Sequence, residues 1–391
     1  MMKDKTFVAL TVLMVAALIA VLAVSCGGSS KLSGTELSIK DYGVVIDSEG
    51  QWVGDPTGLV GPQGAQGVQG EKGDKGATGD KGLTGTTGPT GWQGLQGPPG
   101  LSYNQMQLAL LRWYPAIQTG NTFTVGTGPR AIAFDGANMW VANSSSNNVT
   151  KIRASDGYVL GTYAVGSYPL GICFDGAYIW VANANSDTVT RLRAWDGGGA
   201  TSYAVGDYPR GMAFDGANVW VANNYGDSVM KLNTSTGAVE ATYTVGDGPV
   251  GLAFDGTNIW AANGGSNNVT KINVSDGTMV TYAVGTNPRE LAFDGTYMWV
   301  ANSDDNNIQK LVPSTGAVVA TYTTGDFPLG LVFDGVNIWV PNYNDDNVMK
   351  FNASTGTLIG TYTVGSIPSA MAFDGACVWV VNNGTTTVTK L

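Results

Sequence analysis

Residues 129–168 read PRAIAFDGANMWVANSSSNNVTKIRASDGYVLGTYAVGSY, and this 40-residue unit recurs seven times between residues 121 and 391. A tryptophan opening the tetrapeptide W-V-A-N, or a close variant of it, stands at Trp140, Trp180, Trp220, Trp260, Trp299, Trp339 and Trp379. A proline in a V-G-x-x-P turn, with Thr324 in place of Val in the sixth copy, keeps the same rhythm at Pro129, Pro169, Pro209, Pro249, Pro288, Pro328 and Pro368. Between them lies F-D-G, from Phe134-Asp135-Gly136 to Phe373-Asp374-Gly375. Each unit divides into four short pieces, in the first copy RAIAFDG, NMWVANSS, NVTKIRAS and YVLGTYAVG. The pieces are rich in β-branched and aromatic residues and bounded by Gly, Asn, Asp, Ser or Pro, which reads as strands and turns. Four antiparallel strands at a period near 40 predict a propeller blade. The expected fold is all-β, a seven-bladed β-propeller over 121–391.

The phase of the repeat predicts closure. An outer-strand piece, Thr122 to Val125, precedes the first turn, and Val388 to Leu391 follow only the third strand of the seventh unit. Pairing the two completes the last blade from both ends and leaves no open edge to invite aggregation.

Working back from the propeller, residues 103–120 form a neck or linker. YNQMQLALLRWY (103–114) is a helix candidate that Pro115 stops, by pushing the preceding residue out of the helical region. It either registers three chains as a short coil or packs under the first blade. From Gly58 to Ser102 glycine holds every third position through 15 G-X-Y triplets. Only glycine fits at the crowded axis of three wound polyproline-type chains, so this is a collagen-like stalk of about 140 Å and the chain is expected to form a homotrimer. Residues 26–57 read as an anchor and linker, in which Val44 to Ile46 and Trp52-Val53 could pair as one small hairpin. Residues 1–25 read as a targeting segment: Lys3 and Lys5, an uncharged run from Phe7 to Val24, then Ser25 and Cys26. The alternative is an uncleaved membrane anchor. Either way the remainder is expected outside the cytoplasmic membrane.

Composition limits the chemistry. Residues 121–391 hold 12 basic and 21 acidic side chains, a net of −9, which argues against nucleic acid as a partner. The chain has no histidine, so Ser-His-Asp and Cys-His mechanisms and histidine-held metals are excluded. Three cysteines form no zinc cluster, and Cys173 and Cys377 fall in blades that are not neighbours, so no disulfide is expected between them. Catalysis would have to rest on carboxylates, with or without a hard cation.

The seven-fold invariants read as structural: each F-D-G aspartate as a turn residue, each Asn after the tryptophan motif as a backbone partner between blades, and each third-strand Lys or Arg as a solvated edge. An asymmetric ligand should sit where copies differ. The position after the turn proline reads Arg130, Leu170, Arg210, Val250, Arg289, Leu329 and Ser369, and the next is Gly or Ala in six blades but Glu290 in the fifth. Three arginines ringing a channel mouth suit bidentate capture of carboxylate or phosphate. Tyr168, Tyr208 and Phe327, each just before its proline, add aromatic surface for an acidic or glycan-like ligand. The alternative is that the arginines pair with acids such as Asp207 and Glu290. Two loops after the second strand, with Asp304, Asp305, Asp345 and Asp346, are weak candidates for Ca²⁺, since neither shows a complete ligand set.

Three resemblances follow from these residues. The unit W-V-A-N-x-x-S-N-N-V-T-K-I resembles the YVTN-type β-propeller repeat of bacterial and archaeal surface and periplasmic proteins. That resemblance implies a fold and not an activity: similar propellers are binding platforms, and related ones are lyases or lactone hydrolases. The antibiotic-lyase propellers depend on a catalytic histidine, which is missing here. Residues 58–102 resemble bacterial collagen-like surface proteins. Leu22-Ala23-Val24-Ser25-Cys26 resembles a lipoprotein signal, implying lipidation of Cys26, although Ala23 stands where such signals prefer Leu. The expected function is a surface-anchored binding or adhesion protein for a glycan, matrix polymer or protein ligand; the alternative is a metal-assisted hydrolase or lactonase using Glu290 and channel carboxylates.

Overall fold

A computed structural model describes residues 37–39, 43–46 and 121–391. The expected targeting segment at 1–25, Cys26, the triplets of 58–102 and the helix candidate at 103–114 lie outside the described residues. The chain divides into two units, Met1–Leu108 and Ala109–Leu391. In the first, Leu37–Ile39 and Gly43–Ile46 pair antiparallel, with Leu37 opposite Ile46. Val44 to Ile46 thus pair with an upstream segment, while Trp52-Val53, the expected partner, lie outside the described residues. Three residues, Lys40 to Tyr42, separate the two strands, a short connection of the kind hairpins favour.

The second unit is built of seven four-stranded antiparallel sheets. In the first blade the order outward from the axis is Pro129–Phe134, Asn138–Asn143, Asn148–Arg153 and Val159–Ala164. Innermost strands of successive blades lie against one another around the axis. Among the described residues there is no α-helix; a short 3-10 turn occurs at Ala184–Ser186. The Asp-Gly turns bend as expected, with Gly136 at φ 96°. The seventh blade closes as its phase predicts: Asn121–Thr124 pairs with Thr387–Lys390, Asn121 opposite Lys390. Phe123 stacks on Trp379 at 5.3 Å, carrying the closure into the core. Blade six departs from the pattern. Its innermost strand shrinks to Val332–Phe333 plus a bridge from Pro328 to Asn342. The facing residue there is Pro341, which has no N–H to give the ladder.

The hydrophobic cores lie between blades. Ile132, Met139 and Val141 of the first pack on Trp379, Val381 and Val388 of the seventh. Six of the seven repeat tryptophans are fully buried and Trp339 is 7% exposed. Each indole N–H donates to the F-D-G aspartate of its own blade at 2.7–2.8 Å, so these aspartates anchor the core as well as turn the chain. The outer-strand tyrosine covers the ring, as Tyr203 does for Trp180 at 5.7 Å. Gly237, at φ 73°, lets the next blade lie on that tyrosine; a Cβ there would overlap the Tyr203 ring.

Two structural expectations need correction. The third-strand cations are not a solvated edge: Lys151, Lys310 and Lys390 are buried. Each lies over its blade's tryptophan at 5.0–5.1 Å and donates to a carbonyl of the following blade, Lys151 to Ala194, Lys310 to Ala353 and Lys390 to Ala154. A desolvated cation on an aromatic face stabilises by about 2 kcal/mol, and two blades share the contact. The Asn side chains after the tryptophan motif act mainly inside their own blade. Asn143 Nδ2 donates to Asn148 and Thr150 of the third strand at 2.8 and 2.9 Å, and Asn342 alone accepts from a backbone N–H, that of Gly325. The second and third strands run so close at this point that the side chains meet before any other blade is reached. Cys173 and Cys377 are buried free thiols.

Removing residues 384–391 deletes the strand that joins both ends, so thermal unfolding followed by circular dichroism is expected to lose its single cooperative transition. An unchanged melting curve would refute closure as the constraint. Asp135, Asp255 and Asp334 have carboxyls held below the usual range: burial raises them, but donors including the tryptophan indole and backbone N–H groups outweigh it. A carboxyl depressed in the folded state contributes stability above its unfolded value, about 3.9, and loses it as pH falls through the folded one. Stability should therefore drop below about pH 4. Asp255→Ala, which orphans the buried Trp260 N–H, should cost about 2 kcal/mol by denaturant titration at pH 7.

Candidate functional site

Each V-G-x-x-P turn is shaped by the blade before it. The residue ahead of the proline lies in the left-handed region: Gly128 and Gly248 in two copies and Asn287 in a third, but Tyr168 (φ 58°), Tyr208 (φ 54°), Phe327 (φ 59°) and Ile367 (φ 59°) in the others. In six of the seven copies its N–H donates to an Asn or Asp side chain at the end of the preceding second-to-third-strand loop, as Tyr168 to Asn147 and Tyr208 to Asp187, both at 2.9 Å; ahead of Gly128 that loop position is Thr386. A left-handed φ costs a residue with a Cβ about 1–2 kcal/mol. Side chains held against that cost mark places where strain serves a purpose.

The proline then starts the innermost strand, and the residue after it lies at the channel. Arg130, Arg210 and Arg289, with Glu290, Tyr168 and Tyr208, line one cavity of about 420 Å³. Phe327 is outside the lining; its ring lies 5.7 Å from the Arg289 guanidinium and 5.9 Å edge-on from Tyr343. The ion pairs among the described residues are Arg153–Asp156, Arg193–Asp196 and Lys390–Asp374, so pairing of the channel arginines with Asp207 or Glu290 does not occur. Arg130 Nε, Arg289 Nε and Ser369 Oγ are buried without a hydrogen-bond partner. Burial, and then the Arg289 and Arg130 charges, lower the Arg210 guanidinium to about 10.

Glu290 is the single acid of this cavity. At its position the other blades need a small residue. A Cβ on Gly171 would run into the Arg210 carbonyl, and one on Gly211 into that of Val250. Glu290 instead extends toward Gly251 of the fourth blade, where its Oε1 would stand 2.7 Å from a Cβ. Burial raises its carboxyl to about 7, against the Leu291 N–H, 3.1 Å from Oε1, and the Arg210 charge. The cavity lining therefore carries three cations and at most one anion, with no ion pair formed between them, while Asp304, outside the lining, supports the Arg289 charge against its burial.

The acidic loops lie beside these turns. Asp304 accepts from Asn287 Nδ2 at 3.0 Å, Asp305 from Thr286 N at 2.7 Å, Asp345 from Asp326 N at 2.8 Å and Asp346 from Ile367 N at 2.8 Å. Each thus shapes a turn, and among the described residues no three acidic or cysteine side chains converge as metal ligands. Sequence reasoning missed Tyr225 and Tyr343. Tyr225 is exposed and stacks on Tyr208 with centroids 4.3 Å apart and planes 22° apart. Both stand in loops where the copies differ, the same signal that singled out the arginines. A second cavity of about 410 Å³ includes Asp294 and Lys310, whose polar atoms already hold Trp299 and the Ala353 carbonyl.

The described head is a seven-bladed β-propeller, and the chain that leads to it carries a collagen-like segment. Residues 53–105 match the family of the collagen triple helix repeat (20 copies), which encloses the triplets at 58–102. No curated protein matches the chain. Among solved structures the chain is similar to a Kuenenia stuttgartiensis hydrazine synthase (21% identity, 70% of this chain and 98% of that one, TM-score 0.61). It is also similar to a streptogramin B lyase (17%, 69% and 96%, TM-score 0.60) and to the WD40 β-propeller domain of Doa1 (13%, 70% and 95%, TM-score 0.61). At these identities the likeness is one of fold.

Arg210→Met removes a desolvated charge that has no counter-ion. It should raise stability by about 1 kcal/mol while weakening anion capture, read by thermal melting and by calorimetric titration with sulfate. A drop in stability would mean that the arginine serves the fold.

Proposed function

We propose that this protein is an envelope-anchored binding protein that presents propeller heads on a trimeric collagen-like stalk and captures anionic ligands at the channel mouth. The observation that carries this reading is the cluster of three arginines without an ion-pair partner around one cavity. Buried charge left unneutralised is costly to the fold and useful only to a ligand that supplies the opposite sign. The head as a whole is acidic, so nucleic acid is disfavoured and the positive field is confined to the mouth. The sequence before the head supports export, lipidation at Cys26 and attachment to an outer membrane or cell surface. Its YVTN-like repeats fit that setting. Three weak sites on one stalk can gain about 10²–10⁴ in overall binding without new contacts. The ligand class is then a surface glycan, matrix polymer or acidic protein segment.

A second reading rests on Glu290, a carboxyl near 7 inside an arginine-lined cavity, which suits a general acid–base in ester or lactone hydrolysis. The metal-assisted form of it would need further donors beside Glu290. Ca²⁺ in the acidic loops remains a proposal of the same kind, tested by calorimetric titration.

The test is binding of residues 27–391 to glycan and matrix-polymer arrays, beside the propeller alone and an Arg130/Arg210/Arg289→Ala variant. Avid binding by the full chain, weak binding by the head and none by the variant is the expected outcome. Equal binding by the variant would move the site elsewhere, and silence on the arrays with ester or lactone turnover would favour the hydrolase.

A further inference from the structure

An arginine cluster alone would accept any anion of suitable size. What distinguishes this cavity is the carboxylate that shares it. Glu290 is the one residue that breaks the Gly/Ala rule of the innermost strands, and it projects across blade four toward Arg210. A ligand made only of negative charge, such as sulfate, meets the arginines and is opposed by Glu290. A ligand that carries an anionic group and, beside it, a hydroxyl donor satisfies both. The aromatic shelf adds a third element: Tyr208 stacked on the exposed Tyr225 offers a broad flat face next to the arginines. Ser369 Oγ, buried and unpartnered on the cavity wall, offers one more hydroxyl contact.

We infer that the channel mouth selects acidic saccharides, a ring with a carboxylate and neighbouring hydroxyls, with Arg130, Arg210 and Arg289 taking the carboxylate and Glu290 accepting a hydroxyl. This rests on the mouth being the anion site. Arginine matches a planar carboxylate in a bidentate fork. A hydroxyl donating to the Glu290 carboxylate forms a charge-assisted hydrogen bond, and hydrogen bonds to charged groups discriminate by about tenfold or more. The apolar face of the sugar ring would lie on the tyrosine shelf. Glu290 is then the specificity residue of the site, since it converts general anion attraction into a demand for a donor next to the charge.

The same carboxylate predicts opposite behaviour for two ligand types. Apart from Arg130, Arg210, Arg289, Tyr168 and Tyr208, the cavity lining carries no titratable side chain except Glu290. Burial raises the Glu290 carboxyl, so it gains its proton as pH falls through about 7. Protonation removes the charge that opposes a plain anion, so sulfate should bind more tightly at pH 6 than at pH 8. A hydroxylated acid that uses the ionised carboxylate as acceptor should not gain.

The experiment uses residues 27–391 and calorimetric titration at pH 6 and 8 with four probes: trigalacturonate, a neutral hexose trisaccharide, succinate and sulfate. Trigalacturonate is expected to bind about tenfold more tightly than succinate or sulfate at pH 8, and the neutral trisaccharide only weakly. Glu290→Gln, close in size, should bind sulfate about tenfold more tightly at pH 8, lose its pH dependence and lose most of the preference for trigalacturonate. Wild-type protein that binds sulfate and succinate as well as trigalacturonate would overturn this inference and leave anion capture standing. So would equal binding of the neutral trisaccharide, or a Gln variant with unaltered selectivity. If no charged probe binds wild-type protein better than the Arg130/Arg210/Arg289→Ala variant, the anion-site reading fails as well.

Discussion

A tryptophan buried in each blade holds the propeller together by meeting three different needs at once. Its N–H, which could not be left unpaired in the core, ends on the F-D-G aspartate of the same blade. Its ring lies beneath a lysine or arginine from the third strand, whose charge would otherwise be costly to bury. That cation spends its own hydrogen atoms on carbonyls of the next blade. One side chain therefore couples a turn, a sheet and an inter-blade contact. The chain of contacts runs from Lys390 of the last blade to Ala154 of the first, so the ring is joined electrostatically as well as by the paired terminal strands.

Blade six is where this scheme thins. Lys350 keeps its place over Trp339 at 4.4 Å, but no carbonyl of the next blade receives it, and Trp339 is the one repeat tryptophan with measurable exposure. The same blade has the shortened innermost strand beside Pro341. Two losses of coupling in neighbouring positions make it the place where the ring is most easily opened.

With stability vested in the second and third strands, the V-G-x-x-P turns are free to diverge, and they do so at the channel mouth. There the local rules are broken together: aromatic residues sit at left-handed φ where glycine serves in other copies, arginines lack counter-ions, and a glutamate stands where glycine or alanine fits. None of these helps the fold. Each places a charged or aromatic group around a single cavity.

The repeat period, the strand lengths and the terminal phase were all legible in the chain, because a blade is a local object whose hydrogen-bonding partners lie within 40 residues. The ring of Arg130, Arg210 and Arg289 was legible too, since copies that otherwise agree make a difference conspicuous. The role of Lys151 was not. A lysine on an edge-like strand reads as solvated until the carbonyl of Ala194, 43 residues away, is brought onto it by the next blade. The same holds for Glu290, visible as an exception but defined by Arg210 and Gly251 from other blades, and for the Tyr208–Tyr225 shelf. Sequence by itself determined the blades, their number and their closure, which follow from short-range patterning of backbone and apolar side chains. Only the tertiary structure decided which charges are buried and which meet in one cavity, because desolvation and Coulomb interaction depend on distances that exist only once the ring has closed.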